Sequence, residues 1–235
     1  ILPLPDGMII VGGAFGRYQG ADVSPIIRLS PTGERDPTFT AALPMPGTSS
    51  YYGSIVQDVV SQPDGKLIVA RDGVDRLNSD GSLDPTFDDG SGGDSNSGGR
   101  RRLALLPDGK VLVAGDFTEY NGQYIRGLLR LGPNGAIDAT FDASAVIDQG
   151  VVYDLAVQPD GKILIVDGDG IVRLNANGTL DPTFTGPTIT GDPFFPHADV
   201  LALQPNGSIL IGGSLTACNG IPRKGIARLL ANGTL

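Results

Sequence analysis

A three-residue turn followed by an apolar run occurs five times in this chain, and that periodicity constrains the fold more than any other feature. The copies are Pro5-Asp6-Gly7, Pro63-Asp64-Gly65, Pro107-Asp108-Gly109, Pro159-Asp160-Gly161 and Pro205-Asn206-Gly207, with prolines 58, 44, 52 and 46 residues apart. Proline presets φ for the first central turn position, and glycine supplies the positive φ that lets the chain reverse. Each turn opens a strand-like run: MIIVGG from Met8, KLIVA from Lys66, KVLVAG from Lys110, KILIV from Lys162 and SILIGG from Ser208. A second run then ends in Arg-Leu, at Arg28, Arg76, Arg130, Arg173 and Arg228. A further glycine turn follows at Gly33, Gly81, Gly135, Gly178 and Gly233. The first four repeats close on Asp-Pro/Ala-Thr-Phe, at Asp36–Phe39, Asp84–Phe87, Asp138–Phe141 and Asp181–Phe184.

The 35 glycines and 18 prolines of this 235-residue chain therefore read as turn punctuation in folded repeats. Val, Ile and Leu dominate the runs, and no helical period extends beyond one turn. Near-continuous apolar strands imply burial on both faces, as in stacked sheets. A unit of about 50 residues cannot bury two faces alone, whereas several arranged radially can. The expected fold is all-β, a β-propeller of about five blades, each a small antiparallel meander. A linear β-solenoid is the runner-up, but solenoid coils are shorter than this repeat. The blades fall near 1–54, 55–98, 99–150, 151–196 and 197–235, within a single domain. The partial first strand at Ile1–Leu4 and the missing closing motif before Leu235 suggest an excerpt of a longer repeat array or assembly.

The recurrent pattern Leu-Ala-x-Gln-Pro-Asp-Gly-Lys-Ile-Leu-x-x-Gly, followed by Arg-Leu-Asn-x-x-Gly-x-Leu-Asp-Pro-Thr-Phe, resembles the delta-60 repeat family. Gly115-Asp116-Phe117-Thr118-Glu119-Tyr120-Asn121-Gly122 is a further form similar to that family. WD-type and kelch blades fit less well, since the chain has one histidine and no tryptophan. The resemblance implies propeller blades in a large bacterial protein, extracellular or on the cell surface. It transfers no catalytic residues.

Charge and composition narrow the function. A net charge of −9 argues against a nucleic-acid groove or a polybasic membrane patch, and no apolar run reaches the ~18 residues of a membrane helix. Lone Cys218 leaves no internal disulfide and no cysteine zinc site. The Asn78–Asp84 loop resembles half a calcium site, but its counterparts keep the turn residues and lose the carboxylates, so no metal and no cofactor are expected. His197 has no nucleophile elbow beside it, and the acids are mostly accounted for by repeated turn positions. The expectation is a chain that is not an enzyme, with a glycan-cleaving carboxylate pair near the channel as the alternative. The repeated Arg and Asp read as a structural pair, or as an Arg-to-carbonyl bond, fastening each blade.

In a four-stranded meander the tight turns share one rim, and length variation falls on the other. Repeats one, three and five have long second-to-third loops, with a Gly-to-Arg interval of 15 in each. Non-repeating connections run over Leu43–Tyr52, Asp88–Arg102, Asp142–Gly150 and Thr185–His197. A protein or glycan partner is expected there, on Tyr51, Tyr52, Arg100, Arg101, Arg102, Tyr120, Phe194 and Phe195. The three arginines have a blander reading as a solvated loop end beside Asp88, Asp89 and Asp94.

Overall fold

The structure is a computed structural model that describes residues 1–41, 43, 55–71, 73–88, 100–147, 151–167, 170–191 and 198–235. They form two compact units. One comprises Ile1–Val111, Glu119–Gln123 and Leu131–Ile137; the other comprises Leu112–Thr118, Tyr124–Arg130 and Asp138–Leu235. Repeats one and two lie in the first and repeats four and five in the second, while repeat three gives segments to both.

Repeat four shows how a blade is built. Strands Val152–Val157, Ile163–Asp167 and Gly170–Leu174 pair antiparallel, with Leu155 opposite Ile165 and Ile165 opposite Val172. Between the first two, Gly161 has φ 82° and its N–H donates to the Gln158 carbonyl at 2.9 Å. The Lys162 amide donates to Asp160 Oδ1 at 3.2 Å, so the aspartate closes its own turn. The same three-stranded order holds in repeat one (Leu2–Pro3, Ile9–Gly12, Ile26–Leu29), repeat two (Asp58–Ser61, Leu67–Ala70, Val74–Leu77) and repeat five (Val200–Leu203, Ile209–Gly212, Ile226–Leu229).

The fourth strand of the expected meander shrinks to one bridge, Leu29 to Arg35, Leu77 to Leu83, Leu131 to Ile137 and Leu174 to Leu180. After each bridge the Asp-Pro/Ala-Thr-Phe motif turns, with the Phe39 and Phe184 amides reaching the Asp36 and Asp181 carbonyls at 3.4 and 3.3 Å. Proline offers no N–H for a ladder, and the aspartate takes the threonine's donors: Thr38 N and Oγ1 reach Asp36 Oδ1 at 2.8 and 2.7 Å.

Packing between consecutive blades makes the core. Leu67–Ala70 is buried at every residue, as is Ile163–Val166. Ile10, Ile26 and Phe39 of repeat one pack with Val59, Leu67, Val69 and Leu77 of repeat two. Leu164, Val166 and Ile171 of repeat four pack with Leu201, Ile209, Ile211 and Ala227 of repeat five. Each such Val, Leu, Ile or Phe side chain contributes about 1.5–3 kcal/mol by leaving water, and both faces of the apolar runs are used.

Candidate functional site

The joint between consecutive blades accounts for most of the repeated charged residues. Arg173 Nε donates to Asp181 Oδ2 at 2.7 Å, Nη2 to Thr183 Oγ1 at 3.2 Å, and Nη1 to the Ala231 carbonyl of the next repeat at 2.8 Å. Its guanidinium lies 4.9 Å over the Phe184 ring. Arg28, Arg76 and Arg130 repeat the arrangement, reaching across to Ser79, Pro133 and Ala176 carbonyls at 2.7, 2.6 and 2.6 Å. The arginine therefore both pairs with the aspartate and bonds a carbonyl of the following blade.

Beside it, the Thr185 amide donates to the Asn232 carbonyl of the next repeat at 3.0 Å, and Thr40 does the same to Asp80 at 2.7 Å. In repeats two and four a lysine joins: Lys66 Nζ reaches Asp84 Oδ2 at 2.6 Å, and Lys162 Nζ reaches Asp181 Oδ2 at 2.8 Å. These ammonium groups, then the threonine hydroxyls and amides, hold both carboxyls far below the usual carboxylate range. An open depression of 450 Å³ lined by Asp75, Arg76, Asp84 and Phe87 belongs to this seam.

The long loops of repeats one, three and five are hairpins. Their turns are Gln19-Gly20 (φ 48° and 84°), Asn121-Gly122 (50° and 71°) and Asn219-Gly220 (50° and 73°). Positive φ at both central residues is the type I′ geometry that matches strand twist, which is why Asn-Gly recurs. The second strands of these hairpins, Ala21–Asp22, Gln123–Tyr124 and Ile221–Pro222, are exposed at both residues. Tyr124 is 70% exposed, and the Arg126 guanidinium lies 5.1 Å over its ring. On the first strands, Tyr120 and Cys218 are buried, and burial pushes the Cys218 thiol above its ordinary value.

The residues expected to bind divide accordingly. Tyr51, Tyr52, Phe194 and Phe195 lie outside the described residues, as does His197. Arg100 is exposed and Arg102 half-buried, but Arg101 is wholly buried. That corrects the solvated-loop reading for Arg101. It opens the strand Arg101–Leu105, its amide donating to Gln57 Oε1 at 2.5 Å, and it stands two residues from buried Leu103 on the same face. Tyr120, 1% exposed, is likewise corrected, because its hairpin turns the ring inward.

Tyr124 and Arg126 were not foreseen, although alternation along the hairpin marks Tyr124 as outward once Asn121-Gly122 is read as its turn. Asp58 and Asp154 were also missed: they accept the Leu103 and Leu201 amides of the next blade's first strand at 2.9 and 2.8 Å. Among the described residues no cluster of three or more His, Cys, Asp or Glu can hold a metal ion.

Turn, strand and joint together define a chain of β-propeller repeats. The sequence matches the family described as a domain of unknown function (DUF5122), β-propeller, over residues 4–39, 62–87, 106–141, 158–184 and 204–235. The chain belongs to that family, the delta-60-like repeats that its motifs resemble. No curated protein matches it. Solved structures that share the fold include the following three. The extracellular domain of BT4673 from B. thetaiotaomicron is 14% identical with a TM-score of 0.55, over 96% of this chain and 26% of that one. Virginiamycin B lyase from Staphylococcus aureus is 15% identical with a TM-score of 0.56, over 97% and 72%. A protein assigned as a gluconolactonase is 19% identical with a TM-score of 0.53, over 96% and 75%.

Two of these three are named as enzymes, which overturns the expectation that the chain is not an enzyme. That expectation rested on the absence of a unique residue constellation in the sequence, and this fold carries named enzymes at a sequence identity too low for motifs to show. Among the described residues no helix is long and apolar enough to cross a membrane.

Proposed function

We propose that this chain is a binding module of a secreted or cell-surface bacterial protein. It takes a protein or glycan partner on the outward strands of its long-loop hairpins, with Tyr124 and Arg126 as anchor. One observation carries the reading. Within a frame that repeats almost residue for residue, the equivalent outward positions hold Asp22, Tyr124 and Pro222, all exposed. A packing role would favour similar side chains there, whereas recognition by each hairpin favours different ones. A tyrosine offers a large rigid face for a sugar ring or a peptide side chain at little entropic cost, and the guanidinium above it adds charge-assisted donors. The fold shared with an extracellular domain supports the location.

The test is a glycan array with a parallel surface-protein pull-down, followed by titration of any hit. Tyr124→Ser should weaken binding at least ~10-fold, the order expected of an aromatic anchor, with the melting temperature unchanged. Leu180→Ser, on the exposed tight-turn side, should leave binding intact. Binding that survives Tyr124→Ser and Arg126→Ala, or is lost with Leu180→Ser, would overturn the reading.

A further inference from the structure

Six asparagines in this chain precede a glycine: Asn121, Asn134, Asn177, Asn206, Asn219 and Asn232. Glycine has no Cβ to shield its amide nitrogen, so in such a pair that nitrogen can attack the asparagine Cγ. The ring closes only if the carboxamide swings onto the following nitrogen. Hydrogen bonds that fix either group therefore oppose the reaction, and the fold distributes them unequally.

Four of the pairs lie in tight turns and are held on both groups. The glycine amide donates back across the turn at 2.9 Å in each, Gly135 to Gly132, Gly178 to Asn175, Gly207 to Gln204 and Gly233 to Leu230. The asparagine Oδ1 accepts the amide two residues on, from Ala136, Thr179, Ser208 and Thr234 at 3.3, 3.2, 3.0 and 3.1 Å. Thr179 and Thr234 add their hydroxyls at 2.8 Å. Asn219 stands in a hairpin turn but is clamped by Thr188, whose amide donates to its Oδ1 at 2.9 Å and whose carbonyl accepts its own amide at 2.8 Å.

Asn121 differs from all five. It and Gly122 are exposed, and a Cβ on Gly122 would meet nothing within 4 Å. Among the described residues, neither the Gly122 amide nor the Asn121 Oδ1 makes a hydrogen bond. The carboxamide is held through Nδ2, the nitrogen that would leave, which donates to Asp88 Oδ2 at 3.1 Å on the protein surface.

We propose that Asn121 is a site of spontaneous deamidation. The Gly122 nitrogen bonds to Asn121 Cγ, the Cγ–Nδ2 bond breaks, and the Gly122 amide proton leaves with Nδ2 as ammonia. Water then opens the cyclic imide. Attack at Cγ restores the main chain and leaves aspartate; attack at the main-chain carbonyl leaves isoaspartate, with the chain running through Cγ. Either product exchanges NH2 for OH and puts a carboxylate where Asn121 had donated to Asp88, so an attraction becomes like-charge repulsion. Isoaspartate also adds a backbone methylene to a turn whose two central residues must both hold positive φ. The hairpin that carries Tyr124 therefore loosens as the protein ages, whether or not Tyr124 meets a partner.

The chain is incubated at mildly alkaline pH, native and in urea, and mapped by mass spectrometry with fragmentation that separates aspartate from isoaspartate. In the native chain Asn121 should convert at least ~10-fold faster than any of the other five, the order set by losing one or two turn hydrogen bonds. In urea the six rates should converge. Asn121→Gly, which keeps a residue suited to positive φ, should lack the early acidic species. No conversion at Asn121 in the native chain, conversion at another of the six as fast as there, selectivity that persists in urea, or an early acidic species in Asn121→Gly would each overturn the proposal.

Discussion

Gly161 and Gly178 sit in turns with φ of 82° and 94°, yet the two glycines answer to different demands. At Gly161 a Cβ would enter open space, so alanine there suffers only the left-handed backbone strain. Gly161→Ala should therefore cost about 1 kcal/mol in urea unfolding. At Gly178 the same Cβ would lie 2.5 Å from the Asp142 carbonyl oxygen of the preceding blade. Gly178→Ala should add overpacking of about 1–3 kcal/mol to that strain, because backbone must shift to make room. Equal losses at the two sites would show that the turn, and not the joint, sets the requirement. The asparagine before a hairpin glycine is subject to a similar rule. Asn121 at φ 50° also donates to Asp88 Oδ2 at 3.1 Å, so Asn121→Ala should cost about 1–2 kcal/mol. Asn121→Gly should recover the backbone part of that loss in the same unfolding measurement.

At the scale of the element, a blade is three strands and a turn held by a charged clasp. Lys162, then the Thr183 hydroxyl and amide, keep Asp181 ionised well below the ordinary carboxylate range. Because the folded value lies below the unfolded one of ~3.9, the clasp contributes stability above that unfolded value. The contribution is lost as pH falls through the depressed folded value, so the native blade should resist acid more than an average carboxylate allows. Lys162→Met removes the largest cause of the depression. Its acid-unfolding midpoint, followed by circular dichroism, should move to higher pH, and stability near neutrality should fall as well, since the clasp's contribution is complete there. An unchanged midpoint would mean that Thr183 and Arg173 hold the carboxylate without the lysine.

Across the whole molecule the same few devices recur, and none of those described calls for a metal. The Asp80 carboxylate, the best calcium candidate in the sequence, accepts the Ser82 amide at 2.9 Å and the Ser82 hydroxyl at 2.7 Å, closing its own turn. Chelation with EDTA should therefore leave the melting temperature of the chain unchanged. A drop of several degrees that calcium restores would place a site in this loop or elsewhere.

Turns, strands and the Arg–Asp clasp were legible in the sequence because their causes are local. Proline sets φ, glycine accepts a positive one, apolar runs need two covered faces, and Arg and Asp recur at a constant offset of eight residues. The reduction of the fourth strand to a bridge was not legible, since repeat three makes the same single bridge, Leu131 to Ile137, with Ala139 where the other motifs have proline. Nor was burial at the candidate site. Tyr120 and Tyr124 are both tyrosines in one hairpin, and Arg100 and Arg101 are neighbours, yet one of each pair is buried and the other exposed. Ile171 and Ile226 hold the same register place in their blades, at 3% and 57% exposure. Nothing within a turn's length distinguishes those two isoleucines, and alternation separates Tyr120 from Tyr124 only once Asn121-Gly122 is known to be their turn. A side chain's fate on a blade face depends on whether another blade packs over it, and that neighbour is set by tertiary packing rather than by the local chain.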